Sequence, residues 1–409
     1  MSSSAPEKPT PPQLRRSLTL PLLVLYGLGT TIGAGIYVLI GVTAERAGMY
    51  APVAFIVAGV VMVFSAGSFA EFARRHPVSA GEAAYTKAGF GSPMAGTLVG
   101  MIVIVESITA AAAIALGSTG YIEVFVDLPG EIVIAAVVLA MGAVAAAGIL
   151  ESVLFASIMT LIEVAGLVAI LAGGFGGDPG MIGRLGEVFP GSFDPGVWSG
   201  IFGAGLLAFF AFIGFEDMVN VAEETREPEK TMPVAIFLTL GIVMAIYFLV
   251  AAVTVLSVPI GELAASNAPL GLVFERVTSL PPQAISAIAI VATLNGVIIQ
   301  MILASRVIYG LASAGSLPKG LGRVNRMTRT PLVATALVAG AVLVLALGFD
   351  LEGLAETTSR FTLLVFVLVN AALVALKLKG VPKGKGFSVP ILVPAIGAVL
   401  CLLLGLSGL

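Results

Sequence analysis

Apolar residues run through this chain in long stretches, and short polar or Gly/Pro-rich segments separate them. Eleven stretches can be drawn, at 20–41, 51–73, 93–121, 131–150, 152–174, 197–222, 232–258, 282–312, 331–347, 361–378 and 387–409. A run of about 20 such residues crosses a hydrocarbon core, and without water its backbone is satisfied only as a helix. The pattern therefore predicts an all-α integral membrane protein with about 11 transmembrane helices and no sizeable soluble domain. Residues 1–13 are Ser- and Pro-rich and lack the apolar centre of a signal peptide. They read as a disordered cytoplasmic tail, with the first stretch as an uncleaved targeting signal.

Composition points the same way, with 58% apolar and 11% charged residues, against roughly 25% charged in a soluble domain. A single Cys, Cys401, allows no intrachain disulfide, and one His, His76, adds too little for a His/Cys metal cluster. There is no GxxxxGK[ST] stretch for an ATP motor and no basic cluster with interleaved aromatics for nucleic acid. No cofactor and no metal are expected.

The basic residues orient the chain. Seventeen of the 21 Lys and Arg lie before the first stretch, after the even-numbered stretches or at their inner ends, where Arg306 is counted; only Arg46, Arg184, Arg276 and Arg360 lie on the other side. The positive-inside bias then predicts a cytoplasmic N-terminus and, with eleven stretches, an extracytoplasmic C-terminus in the cell (inner) membrane. No Lys sits mid-stretch as for a retinal Schiff base, and no stretch carries Arg at every third position as in a voltage sensor.

Two stretches look built to break. The first contains YGLGTTIGAGIYVLIG, whose Gly29 and Gly33 form a GxxxG pair suited to close helix packing. The same glycines also suit a helix interrupted near residues 32–35, with backbone N–H groups left for an anion. The sixth stretch carries Gly214, then Glu216 and Asp217 before its apolar pattern ends. Interruptions in the first and sixth spans point to an inverted-repeat transporter with its site at mid-membrane.

The motifs TTIGAGIYVLIG (30–41), GEAAYTKAGFG (81–91), FFAFIGFED (209–217), AEETREPEKTMP (222–233) and ASRVIYGLASAGSLPKGLGRVNRMTRTP (304–331) carry a resemblance. The chain resembles the amino acid-polyamine-organocation (APC) superfamily of secondary transporters over about 14–380. That resemblance implies a five-plus-five inverted repeat with discontinuous spans one and six in 14–380, followed by an additional span in 381–409. Relatives carry a twelfth span, whose absence here bears on oligomer packing; no oligomeric state follows from the sequence.

The resemblance also implies a site. The carboxylate of an amino acid would lie on the N–H groups of Gly33, Ala34 and Gly35, at the positive end of a half-helix. Its ammonium would meet carbonyls of Ile32 and of Phe210, Ala211, Phe212 and Ile213. Phe209 and Phe212 are candidate pocket walls or gates against the alternative of plain packing, and Thr109 and Asn295 are candidate polar contacts against the alternative of helix glue.

Glu106 and Glu163 sit deep in the third and fifth stretches. Each reads either as a neutral acid hydrogen-bonded between helices or as a coupling or substrate-contact group. Counted from Glu151 and Ser152, Glu163 falls where proton-coupled relatives resemble one another in carrying a lysine. A carboxylate cannot supply that cation, so Glu163 would carry a proton, help ligate Na⁺ or attract a cationic substrate. The segment GEAAYTKAGFG reads as a short amphipathic helix on the cytoplasmic face.

The function expected is secondary active transport of amino acids or related amines by alternating access, with a proton as coupling ion and Na⁺ as the alternative. An amine, polyamine or amino acid exchanger without proton coupling, and a passive channel, are the competing readings. No nucleophile, base and orienting group stand at a spacing that would make an enzyme.

Overall fold

The computed structural model describes residues 18–76, 81–148, 153–381 and 386–407. The expected tail 1–13 and the Glu151–Ser152 reference pair lie outside them. Among the described residues the chain is helical and forms no strand beyond one bridge of Leu18 with Thr225.

The helices are α1 (Leu20–Thr31), α2 (Ala34–Ala47), α3 (Ala51–Arg75), α4 (Gly81–Phe90), α5 (Pro93–Glu123), α6 (Gly130–Ala147), α7 (Val153–Gly177) and α8 (Met181–Arg184). Then come α9 (Pro195–Phe210), α10 (Pro228–Ser257), α11 (Ile260–Ala264), α12 (Pro269–Thr278), α13 (Gln283–Ser313), α14 (Leu332–Gly348), α15 (Leu351–Leu378) and α16 (Leu392–Gly405). Proline stands in the first turn of α1, α3, α5, α9, α10 and α12, where its missing N–H costs nothing. Asp194 caps α9 by accepting from the Gly196 and Val197 N–H groups, and Asp350 caps α15 by accepting from Gly353.

Each of the eleven apolar stretches carries helix. Among the described residues, eight helical segments can cross a membrane by length and composition, the longest being the near-continuous 42-residue run Ala34–Arg75. Leu20–Thr31, Leu332–Gly348 and Leu392–Gly405 are shorter. The first is short because its stretch splits at Ile32–Gly33, and the last because its helix begins only beyond Pro390. The helix of the tenth stretch, α15, starts at Leu351, ten residues before the apolar run, because the Asp350 cap and a first turn carrying Glu352 extend it. The chain is thus a multi-pass membrane protein.

Packing brings distant stretches together. α2 lies on α9, α3 on α10, α5 on both α13 and α15, and α6 on α14. α1 packs between α7 and α10. Gly29 faces the Thr160 side chain of α7, so half of the GxxxG pair does serve close packing.

Candidate functional site

α1 and α2 are two halves of one interrupted helix. The Ile32 N–H closes the last turn of α1 on Leu28 O, and the Gly33 N–H turns back to Thr31 O at 3.0 Å. α2 then begins at Ala34 with no side-chain cap, so its first amides have no partner within the helix.

The second interruption follows α9. The N–H groups of Ala211, Phe212 and Ile213 each reach back three residues, to the carbonyls of Ala208, Phe209 and Phe210. Gly214 then takes a left-handed φ of 118°, and a 3₁₀ helix runs from Phe215 to Glu224. The Glu216 side chain folds back onto this break, its Oε2 accepting from the Gly214 N–H at 3.0 Å.

The two breaks interlock. A Cβ on Gly35 would strike the backbone of Ala211, and one on Gly214 would strike the Thr30 carbonyl. Between them stands Tyr247 of α10, whose hydroxyl lies 2.8 Å from Thr31 O and 3.0 Å from Ala211 O. A phenol has one proton, so the two carbonyls share that of Tyr247, and Thr31 O accepts from the Gly33 N–H besides.

A cavity of about 50 Å³ opens where the breaks meet α13. At roughly 10–15 Å³ per water it holds a few solvent molecules and is smaller than an amino acid. Gly33, Ala34, Gly35, Phe210, Ala211, Ile213 and Asn295 line it, and no atom lies within 4 Å of where a Gly33 Cβ would stand. Thr31 and Gln300 line it too; Thr31 Oγ1 and Gln300 Oε1 are buried without a hydrogen-bond partner.

The other expected residues lie elsewhere. Ile32 is buried in the apolar core. Phe209 packs edge-on against Phe366 with ring centroids 5.8 Å apart, and Phe212 packs against Tyr247 at 5.2 Å. Both are wall material behind the cavity lining. Thr109 donates into its own helix and accepts from Thr358 of α15 at 2.9 Å, which is helix glue.

The two deep acids occupy separate places. Glu163 is buried on α7; its backbone O accepts from Tyr37, and its carboxyl is near enough to the Tyr37 and Tyr247 hydroxyls to act on them electrostatically. Glu106 accepts at Oε1 from Thr362 of α15, at 3.0 Å, and lines a second, smaller pocket with Glu82, Glu216, Asp217 and Gln300. On α4, outside the spans, burial pushes the Glu82 carboxyl up to about 7, with Asp217 adding to the rise.

At the far end of α2, Arg46 pairs with Glu352 and Glu356 of α15, and Arg360 pairs with Glu356 at 3.1 Å. Tyr247, Gln300 and Glu82 escaped sequence reasoning. A signal existed for Gln300, a lone amide in the apolar run GVIIQMIL, and none for Tyr247, whose partners are 216 and 36 residues away.

Known proteins share this arrangement of sequence. The pattern of the amino acid permease family matches residues 18–407. The branched-chain amino acid permease of Bacillus subtilis is 29% identical, over 96% of this chain and 88% of the relative. An uncharacterized transporter of Mycobacterium tuberculosis is 32% identical, over 97% of this chain and 87% of the relative. A vacuolar cationic amino acid transporter of Arabidopsis thaliana is 30% identical, over 89% of this chain and 60% of the relative. With the whole described chain matched and two interrupted helices where the motifs fall, the chain belongs to the amino acid permease family of the APC superfamily.

Proposed function

We propose that the chain is a secondary active transporter that carries amino acids or related amines across the cell membrane by alternating access, coupled to protons. The observation that carries this reading is the pair of interlocked breaks around one cavity, with uncapped amides on one side and shared carbonyls on the other. A cargo carboxylate binds the first amides of α2 at the positive end of its dipole. A cargo ammonium takes the Thr31 and Ala211 carbonyls, each of which Tyr247 otherwise serves. The head group common to amino acids is thereby recognised by backbone, and the names of the Bacillus and Arabidopsis relatives fit that substrate class.

The helix pairing supports two five-span repeats over 14–380, with 381–409 as an added span. α2 with α9, α3 with α10, α5 with α13 and α6 with α14 pair each of the first four spans with its counterpart five spans later. With the N-terminus cytoplasmic, the Arg46 pairs close the outer end of α2 on α15. A cavity too small for cargo fits a carrier between openings, and does not fit a continuous channel.

Glu163 is the proton carrier in this reading. Its carboxyl acts on Tyr247, which touches both cargo carbonyls, so its charge state is felt where the ammonium binds. Uptake of a panel of labelled amino acids and amines into liposomes under an imposed proton gradient tests the proposal, and no gradient-dependent uptake of any would overturn it. Glu163→Gln is expected to abolish the pH dependence of uptake. If the pH profile survives and only amines are lost, Glu163 reads substrate charge instead.

A further inference from the structure

Four acids that the proposed transport cycle leaves without a task, two of them buried and two half-buried, gather in one place. Sharing Asp217 and Gln300 with the wall of the central cavity is a second pocket of about 20 Å³. Glu82 from α4, Glu106 from α5, and Glu216 and Asp217 from the 3₁₀ segment line it, and none of its lining residues is basic. The volume admits one water-sized group. Thr362 holds Glu106 at Oε1 and the Gly214 N–H holds Glu216 at Oε2, which fixes the orientation of both carboxyl groups.

Gln300 gives independent evidence of a ligand. It is 8% exposed, and among the described residues no donor reaches its Oε1. A buried amide oxygen without a donor costs about 1–3 kcal/mol. Carboxylate neighbours cannot relieve that cost, because when ionised they only accept. A cation answers the amide oxygen and the carboxylates together. A divalent ion does not suit the space, since Mg²⁺ keeps several waters and Ca²⁺ gathers six to eight oxygens.

We propose that this pocket is a second binding site, taking one compact monovalent cation held by the carboxyl oxygens of Glu82, Glu106, Glu216 and Asp217 and the amide oxygen of Gln300. The site rests on the transport reading above and adds to it a position that the backbone head-group site does not contain. Two sources supply such a cation: the terminal ammonium of a cargo reaching past the shared wall, or a free Na⁺. Both are small positive groups that oxygen ligands bind in the same way.

The test uses the purified full chain in detergent, in choline chloride at constant ionic strength, with leucine, putrescine and Na⁺ as separate probes and the melting midpoint as readout. In the wild type Na⁺ or putrescine is expected to raise the midpoint. Glu106→Gln is expected to weaken that response about tenfold in apparent Kd, and Gln300→Glu, which adds a carboxylate, to tighten it about tenfold. Opposite signs in two variants separate cation ligation from a loss of fold. A response to putrescine alone assigns the site to cargo, and one to Na⁺ alone assigns it to a free ion. If leucine raises the midpoint but neither cation does, or if both variants answer the cations as the wild type does, the second site is overturned and the transport reading stands. A wild type that answers Na⁺ but takes up none of the labelled amino acids and amines into liposomes keeps the site and overturns the transport reading.

Discussion

Glu82 shows how one side chain's surroundings set a measurable property. Its carboxyl is raised from 4.5 to about 7, chiefly by burial and then by Asp217. A raised carboxyl favours the folded state while it is protonated, so the stability it contributes is present below about 4.5 and is lost as pH rises through about 7. Glutamine at this position stays neutral at every pH. In cation-free buffer, Glu82→Gln is therefore expected to melt above the wild type at pH 8, by about 1–2 kcal/mol after allowing for partial exposure, with the gap closing by pH 5. A gap that does not change with pH would contradict this. At this scale the sequence was partly legible: scarce charge drew attention to Glu106, Glu163, Glu216 and Asp217. It could not show that Glu82, on a short polar helix, joins Glu106, or that Glu163 stands apart beside Tyr247. Those groupings are made by tertiary packing across distances that local patterning does not encode.

Among the elements, the two interrupted helices were the most legible, because glycine leaves a mark at each. Gly33 and Gly214 nevertheless do different work. Gly214 adopts φ 118° against the Thr30 carbonyl, so Gly214→Ala brings both backbone strain and a collision. Loss of folded protein is expected, at a cost of about 2 kcal/mol or more, read as reduced monodisperse yield and a lower melting midpoint. Gly33 faces open space, so Gly33→Leu is expected to fold and to fill the cavity, abolishing whatever amino acid or amine uptake the wild type shows in liposomes. The two outcomes exchanged would contradict the geometry. Helix ends were less legible. The start of α15 at Leu351 was missed because Glu352 and Glu356 resemble a solvated loop, although they belong to a capped helical turn that holds Arg46.

Across the whole molecule, Arg46 ties the end of α2 to Glu352 and Glu356 of α15, which the proposed cycle would have to release. Glu356 bridges Arg46 of α2 and Arg360 on its own helix, so removing it leaves Arg46 with Glu352 alone and takes this carboxylate from Arg360. In a Cys401→Ala background carrying Asn295→Cys as the reporter in the cavity wall, Glu356→Ala is expected to speed alkylation by a membrane-impermeant maleimide added outside. An unchanged rate would show that these pairs do not hold the outer end shut. Hydrophobic runs made the order of the apolar helices legible, but not which of their ends are tied together. That depends on ion pairs joining residues more than 300 positions apart, such as Arg46 and Glu356.

The shared hydroxyl of Tyr247 has a bearing on the return journey. A carrier that has released its load would have to swing back, and buried carbonyls that had lost the ammonium, Ala211 O above all, would resist that swing. Tyr247 occupies them in the meantime, an internal counterfeit of the departed ammonium. In the proposed cycle an empty carrier so furnished would reset by itself, giving net accumulation in place of one-for-one swapping. Tyr247→Phe should then slow uptake into empty liposomes far more than swapping between loaded ones, and equal slowing of both would show that the hydroxyl has no such part.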